Sequence, residues 1–161
     1  MAQAMMKGVV FLGGRKCEVR EFPVPEPGRD EALVRIQASG VCGSDLHTYR
    51  SNQNSPEQIR GHEPCGIVES AGADVTRVKP GDRVAVPHHQ GCGTCHECAS
   101  GNTVFCPDNR VYGFSLPGSF AEFMVAKERN CITLPEGVSY ADGAFIACVG
   151  GTVFAALRRL E

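Results

Sequence analysis

The sequence has no long run of one charge sign. Its 16 Lys and Arg nearly balance 18 Asp and Glu, giving a formal net charge of −2. It therefore lacks an electrostatic footprint for nucleic acid or for an anionic membrane. No apolar stretch approaches the roughly 18 residues that a bilayer span requires. The N-terminus has a short apolar run, Val9 to Leu12, without a basic region before it or a cleavage pattern after it. That pattern argues against a secretory leader, and the expected location is the cytoplasm. No internal repeat or low-complexity segment is present.

Glycine, proline and cysteine are abundant. The 19 glycines and 10 prolines are scattered over 161 residues, which indicates frequent turns between short strands rather than disorder. The length suffices for one domain with a hydrophobic core. Nine cysteines are an odd number, so complete disulfide pairing within one chain is excluded. In a reducing compartment, clustered cysteines point to metal.

Short β-type runs alternate with turn signals over the first two thirds. Strands are predicted at Gly8–Leu12, Cys17–Phe22, Ala32–Ala38, Gly66–Glu69, Arg83–Val86, Phe120–Ala126 and Cys131–Leu134. Turns fall at Gly13-Gly14, at the Pro23 to Gly28 cluster and at Pro80-Gly81-Asp82. Such a set of strands suggests a barrel-like β domain. Near the end, Ser139 is a candidate helix N-cap with Asp142 in the first turn. A helix over 140–147 is expected, an interruption at Gly150-Gly151, and a second helix over 152–160. Apolar Val153, Phe154, Ala156 and Leu157 on that second helix require a covering partner.

Cys92, Cys95, Cys98 and Cys106 lie in a Cys-x2-Cys-x2-Cys-x7-Cys pattern eased by Gly91, Gly93 and Gly101. Four thiolates fill tetrahedral zinc and leave no position for substrate, so the site reads as structural. The same thiols would also serve an iron–sulfur cluster or two disulfides. Cys92 to His96 matches the C-x-x-C-H pattern of covalent haem, which would leave Cys98 and Cys106 without a role. His96 itself reads as an exposed turn residue.

Good zinc ligands also occur in Val41-Cys42-Gly43-Ser44-Asp45-Leu46-His47, in Gly61-His62-Glu63-Pro64 and at Cys148. Together with Pro80-Gly81-Asp82-Arg83-Val84, Gly118 to Glu122 and the Cys148 to Ala156 region, these segments resemble the zinc-dependent medium-chain alcohol dehydrogenases over nearly the whole chain. The resemblance implies a GroES-like catalytic domain over 1–161, mainly β with some α. It would be a partly open barrel with a zinc lobe at about 88–110 and a helical edge at about 139–161.

By this resemblance Cys42, His62 and Cys148 ligate a catalytic zinc, a ligand set for which alcohol dehydrogenase is the standard example. Glu63 is a residue that can approach that zinc, and Asp45 orients the ligand histidine. Ser44 and His47 form a proton relay, and Thr152 contacts a nicotinamide. Read without the resemblance, Ser44 and Asp45 would also serve as helix-capping residues and Thr152 as a residue of a helix N-terminus. Zinc lowers the alcohol's pKa so that an alkoxide forms, Ser44 and His47 pass the proton outward, and hydride moves to NAD or NADP. The implied reaction is oxidation of an alcohol to an aldehyde or ketone, or its reverse. Small alcohols or carbonyls are the implied substrates, and a dimer or tetramer of the full-length protein is the implied assembly.

Cys148-Val149, where polyol-dehydrogenase relatives tend to carry glutamate-proline, points toward the alcohol dehydrogenases proper. Cys65 departs from the family and reads as a small buried residue, or as a competitor for metal. Cys17 and Cys131 read as core, and His88 and His89 as cleft or surface residues. The family continues into a Rossmann domain with a G-x-G-x-x-G turn. Gly150-Gly151 lacks the preceding strand and spacing of that turn. The expectation is therefore the N-terminal half of such an enzyme, inactive alone, with a standalone non-catalytic zinc module as the alternative.

Overall fold

The computed structural model describes residues 3–52 and 57–160. The first two strands, β1 (Met5–Gly13) and β2 (Lys16–Pro23), form an antiparallel hairpin. Its turn falls at Gly14 and Arg15, both with positive φ. The main sheet is antiparallel and five-stranded, in the order β8-β3-β4-β5-β9. Its members are β3 (Glu31–Ser39), β4 (Pro64–Ala71), β5 (Arg83–Ala85), β8 (Phe123–Lys127) and β9 (Ile132–Thr133). The outer strands β8 and β9 do not pair with each other, so the sheet stays open rather than closing into a barrel.

Alternation along the strands places a core on each side of this sheet. Val34, Val68, Val84, Met124 and Ala126 pack together on one side with Tyr112 and Cys131. Each fully buried valine contributes about 1.5–3 kcal/mol. Cys65 and Ala85, one residue out of phase, pack on the other side with Leu134 and Ala144. Cys65 is thus a small core residue: a Cβ on Gly143 would lie 2.5 Å from its Sγ. Cys131 is buried as expected. Cys17 is not, because β2 is the outer strand of the hairpin and its residues from Lys16 to Val19 are all exposed.

Two short strands and two helices escaped the sequence reading. Strands β6 (His89–Gln90) and β7 (Arg110–Val111) pair to close the base of the cysteine lobe. Two residues per strand leave no alternation to read. Helix α1 (Gly43–Arg50) leads away from Cys42, its N-cap residue. Within the lobe, α2 (His96–Ala99) is a single helical turn that leaves the His96 side chain exposed.

The C-terminal segment differs from expectation. Helix α3 (Tyr140–Phe145) starts at Ser139, whose Oγ accepts from the Asp142 N–H at 3.1 Å. It runs without a break through a π-helical turn (Ile146–Gly150) into α4 (Gly151–Leu157). Gly150 and Gly151 have ordinary helical φ of −61° and −62°. Glycine permits a break but does not impose one. The continuous span Tyr140–Leu157 is 18 residues long with a mean hydropathy of 1.5, enough to cross a bilayer by length and composition. This corrects the reading that no stretch approaches that length. The span nonetheless belongs to the domain at its first half, where Gly143, Ala144, Ala147 and Cys148 are buried and α3 packs on β3, β4 and β5. Its second half leaves Val153, Phe154 and Leu157 exposed.

Candidate metal centres

Cys92, Cys95, Cys98 and Cys106 bring their sulfurs within 4.8 Å of one another. The glycines in this lobe have separate tasks. Gly93 and Gly101 adopt φ of +84° and +78°, a region that side chains disfavour. Gly91 is needed for space, because a Cβ there would sit 2.4 Å from Cys98 Sγ. Backbone N–H groups aim at the sulfurs: Thr94 and Cys95 donate to Cys92 Sγ at 3.4 and 3.3 Å, and Cys92 donates to Cys106 Sγ at 3.3 Å. Hydrogen bonds from the Thr94 hydroxyl and backbone, then from Cys95, lower the Cys92 pKa to about 6. Such donors stabilise thiolate, the form that binds zinc.

The second cluster gathers Cys42, His62, Glu63 and Cys148, whose ligand atoms also lie within 4.8 Å of one another. Cys42 sits at the α1 N-terminus, His62 and Glu63 follow a tight turn at Gly61 (φ +90°), and Cys148 lies on the π turn. A π turn adds a residue to the helix and re-aims the side chains around it. Asp45 joins two of these residues: its Oδ2 accepts from the Cys42 N–H at 3.0 Å, and its Oδ1 faces His62 Nδ1 at 3.3 Å. Ser44 Oγ lies 3.3 Å from the other ring nitrogen, Nε2. His47 is exposed one turn along α1 from Ser44, and Thr152 is exposed at the start of α4.

The donor set and its burial fit a metal ion. Among the described residues Glu63 Oε1 is buried without a hydrogen-bond partner, and His62 Nδ1 faces Asp45 off the line of a full hydrogen bond. Uncompensated burial of a carboxylate is costly and calls for a cation. Burial opposes protonation of His62, but Asp45 and then Cys42 outweigh it and raise its pKa. Burial likewise opposes ionisation of Cys42, yet hydrogen bonds from Ser44 and His62 bring the thiol below its usual value. Burial, then the negative charge of Cys42 and Glu63, pushes Cys148 up to about 12. The negative charges of Cys42 and Glu63 thus disfavour thiolate at Cys148, a repulsion that a divalent cation bound among them would offset.

Several contributors were not foreseen. Gly40 must lack a side chain, since a Cβ would lie 1.9 Å from Glu63 Oε2. Its sequence signal is no more than a glycine two residues before Cys42. His88 and Phe114 flank His62, with ring centroids 5.4 and 5.2 Å from its own. His88 is pushed down to about 4 by burial and then by neighbouring His89, so it is neutral near pH 7. Between the lobe and α4 lies a cleft of about 860 Å³, lined by His88, His89, Arg129, Asn130, Cys148 and Thr152 among others. His88 and His89 are therefore cleft residues.

Residues 28–136 match the alcohol dehydrogenase GroES-like domain family. The chain belongs to the zinc-dependent alcohol dehydrogenase family. It is 38% identical over 168 residues to an uncharacterized zinc-type alcohol dehydrogenase-like protein of Escherichia coli, covering 97% of this chain and 48% of the relative. It is 37% identical over 161 residues to an alcohol dehydrogenase of Rhizobium meliloti, covering 98% of this chain and 47% of that protein. Alcohol dehydrogenase TADH from Thermus sp. ATN1 superposes with a TM-score of 0.89 at 32% identity, covering 95% of this chain and 47% of the other. The chain thus spans about half the length of the curated relatives it matches. The structure is that of a GroES-like alcohol dehydrogenase domain with two candidate zinc clusters.

Proposed function

We propose that this chain supplies the zinc-bearing half of an NAD- or NADP-linked dehydrogenase that interconverts an alcohol with its aldehyde or ketone. The observation that carries the reading is the convergence of Cys42, His62 and Cys148, with Glu63, from three distant places in the chain. A purely structural site has no use for two cysteines and a histidine beside a buried carboxylate with one oxygen unpartnered among the described residues. Zinc bound there would act as a Lewis acid toward the substrate oxygen.

The remaining steps fall to side chains. Asp45 fixes the His62 ring and the Cys42 backbone together, so the ligands enter at a set angle. Ser44 accepts the substrate hydroxyl proton and releases its own toward His47, one helical turn away on the same face. His47, being exposed, exchanges that proton with water. Thr152, in the cleft beside Cys148, is placed to contact a nicotinamide, which when bound would supply the hydride chemistry. The exposed Val153, Phe154 and Leu157 form the face that a nucleotide-binding half covers. The full-length protein assembles as a homo-oligomer and works in the cytoplasm, a reducing setting that suits cysteines left unpaired by disulfides.

Metal analysis tests the reading. Two zinc ions per chain are expected, and one in a Cys148→Ala variant. A single zinc in the unaltered chain overturns the open site. NADH titration tests the division of labour: the expected result is no tight binding, and tight binding by these residues alone contradicts it. A standalone zinc module predicts the same lack of NADH binding but gives no reason for an open second zinc.

A further inference from the structure

One five-residue segment, Pro87–Gly91, joins the two clusters. It leaves the main sheet after β5 and ends at Cys92, the first thiol of the lobe. Midway, His88 packs edge-on against the ligand ring of His62 and its Nδ1 lies 3.5 Å from the carbonyl of Ala147, the residue before Cys148.

This segment is gripped by its carbonyl groups. The Asn130 amide Nδ2 donates to Pro87 O at 3.0 Å and to His89 O at 2.8 Å. The Tyr112 N–H donates to His88 O at 3.1 Å. The Arg129 guanidinium donates to Gly91 O, on the residue that packs against Cys98 Sγ. Asn130 is 6% exposed, and both hydrogens of its amide nitrogen go to backbone carbonyls. An aspartate of the same shape would have no donor to offer. A buried amide with its donors fully used sets one backbone path and penalises others.

We propose that Arg129 and Asn130 are a positioning pair that couples the two metal centres. Arg129 grips the lobe end of the segment and Asn130 grips its middle. Closure of the lobe around metal therefore sets where His88 rests against His62 and the Cys148 turn. Neither residue touches a ligand atom; both act through the segment they hold. By linkage, filling the lobe strengthens binding at the open site by the same factor as the converse. This coupling rests on both clusters binding metal, as proposed above.

The test is a double-mutant cycle on the 161-residue chain, read by cobalt(II) affinity at the open site from its ligand-field spectrum. The four proteins are the unaltered chain with its lobe filled by zinc, Cys106→Ser with a lobe that cannot close, Asn130→Ala, and the double variant. Opening the lobe is expected to weaken cobalt binding at the open site about tenfold, and Asn130→Ala by a similar factor, the range of indirect support to metal ligands. The double variant is expected within about twofold of either single one, because both break the same link. Multiplication to about a hundredfold overturns the proposal, as does a lobe variant with unchanged open-site affinity. An Asn130→Ala protein that melts earlier yet keeps both affinity and spectrum shows a merely structural role and also overturns it. If circular dichroism shows that Asn130→Ala fails to fold, Arg129→Gln decides: coupling lost supports the pair, and coupling retained overturns it. Metal stoichiometry is read in the same titration, so failure of the two-metal reading is distinct from failure of coupling.

Discussion

The two candidate metal clusters carry similar side chains but are assembled in opposite ways. The lobe closes within the short stretch from Cys92 to Cys106, using tight glycines and sulfur-directed N–H groups that lie beside it in sequence. The open site needs Cys42, His62 and Cys148 from a helix start, a turn and a π-helical segment, all held in place by the main sheet. Closing a short loop costs little chain entropy, and metal binding supplies folding energy locally. Bringing distant segments together is affordable only once a core exists. One centre is therefore made by its own sequence, and the other by the fold.

The largest expected effect separates them on that basis. Val84 is fully buried between β4 and β9. Val84→Asp buries an unpaired charge and should cost more than about 4 kcal/mol, enough to unfold the sheet. The open-site cobalt spectrum should vanish while the four-sulfur spectrum persists with affinity within about tenfold. Simultaneous loss of both would mean that the lobe, too, depends on the sheet.

Thiol chemistry gives the next contrast, in the metal-free chain. The Cys92 thiol, at about 6, is mostly ionised at pH 7, whereas Cys148, at about 12, is almost wholly protonated. Thiolate is the reactive form, though its nucleophilicity falls with its pKa, so a lobe thiol should react with a disulfide reagent faster than Cys148 by a factor on the order of a few hundred. The sign follows from the shifts: the Cys92 rate levels off above pH 7, while the Cys148 rate keeps climbing through pH 10. Stopped-flow modification with peptide mapping reads both. Equal rates at pH 7 would show that the two centres are not electrostatically distinct.

What was legible in the sequence follows the same divide. The lobe was readable because its ligands, turn glycines and spacing are local. The strands of the main sheet were readable because alternation survives over five or more residues in β3, β4 and β8. Cys148 had no local signal and was placed by resemblance to a family. Gly40 and Asn130 were invisible, since their constraints come from Glu63 and from the Pro87–Gly91 backbone, groups remote in sequence. Cys17 was misplaced because a hairpin strand with few covering neighbours has the same residue types as a buried one. The Gly150-Gly151 pair was misread as a break because permissive residues take the conformation their surroundings choose.

A smaller effect probes orientation without touching a ligand. Asp45→Asn keeps the shape and keeps an acceptor for the Cys42 N–H, but removes the charge that faces His62. Open-site cobalt affinity should fall about 10- to 100-fold, with lobe affinity unchanged. An equal fall at both centres would indicate a general loss of stability instead.

The smallest effect lies at the far end of the helix that carries Cys148. Ser139 caps α3, accepting from the Asp142 N–H while its own N–H and hydroxyl donate to the Asp142 carboxylate. Ser139→Ala should cost about 1 kcal/mol of stability at neutral pH, the usual worth of a cap. Hydrogen bonds from the Ser139 hydroxyl and then its backbone hold the Asp142 carboxyl below its ordinary value. The stabilisation it brings is therefore present above the unfolded carboxyl pKa and fades as pH falls through the folded one. Urea melts of the two proteins should accordingly converge in acid. Because α3, the π turn and α4 form one continuous helix, fraying at Ser139 should also loosen Cys148, weakening the open site by at most about fivefold. The lobe, which shares no cap with that helix, should bind as before. If the open site proved as indifferent as the lobe, Cys148 would be held by burial of the π turn alone, and the helix start would be a bystander to the chemistry.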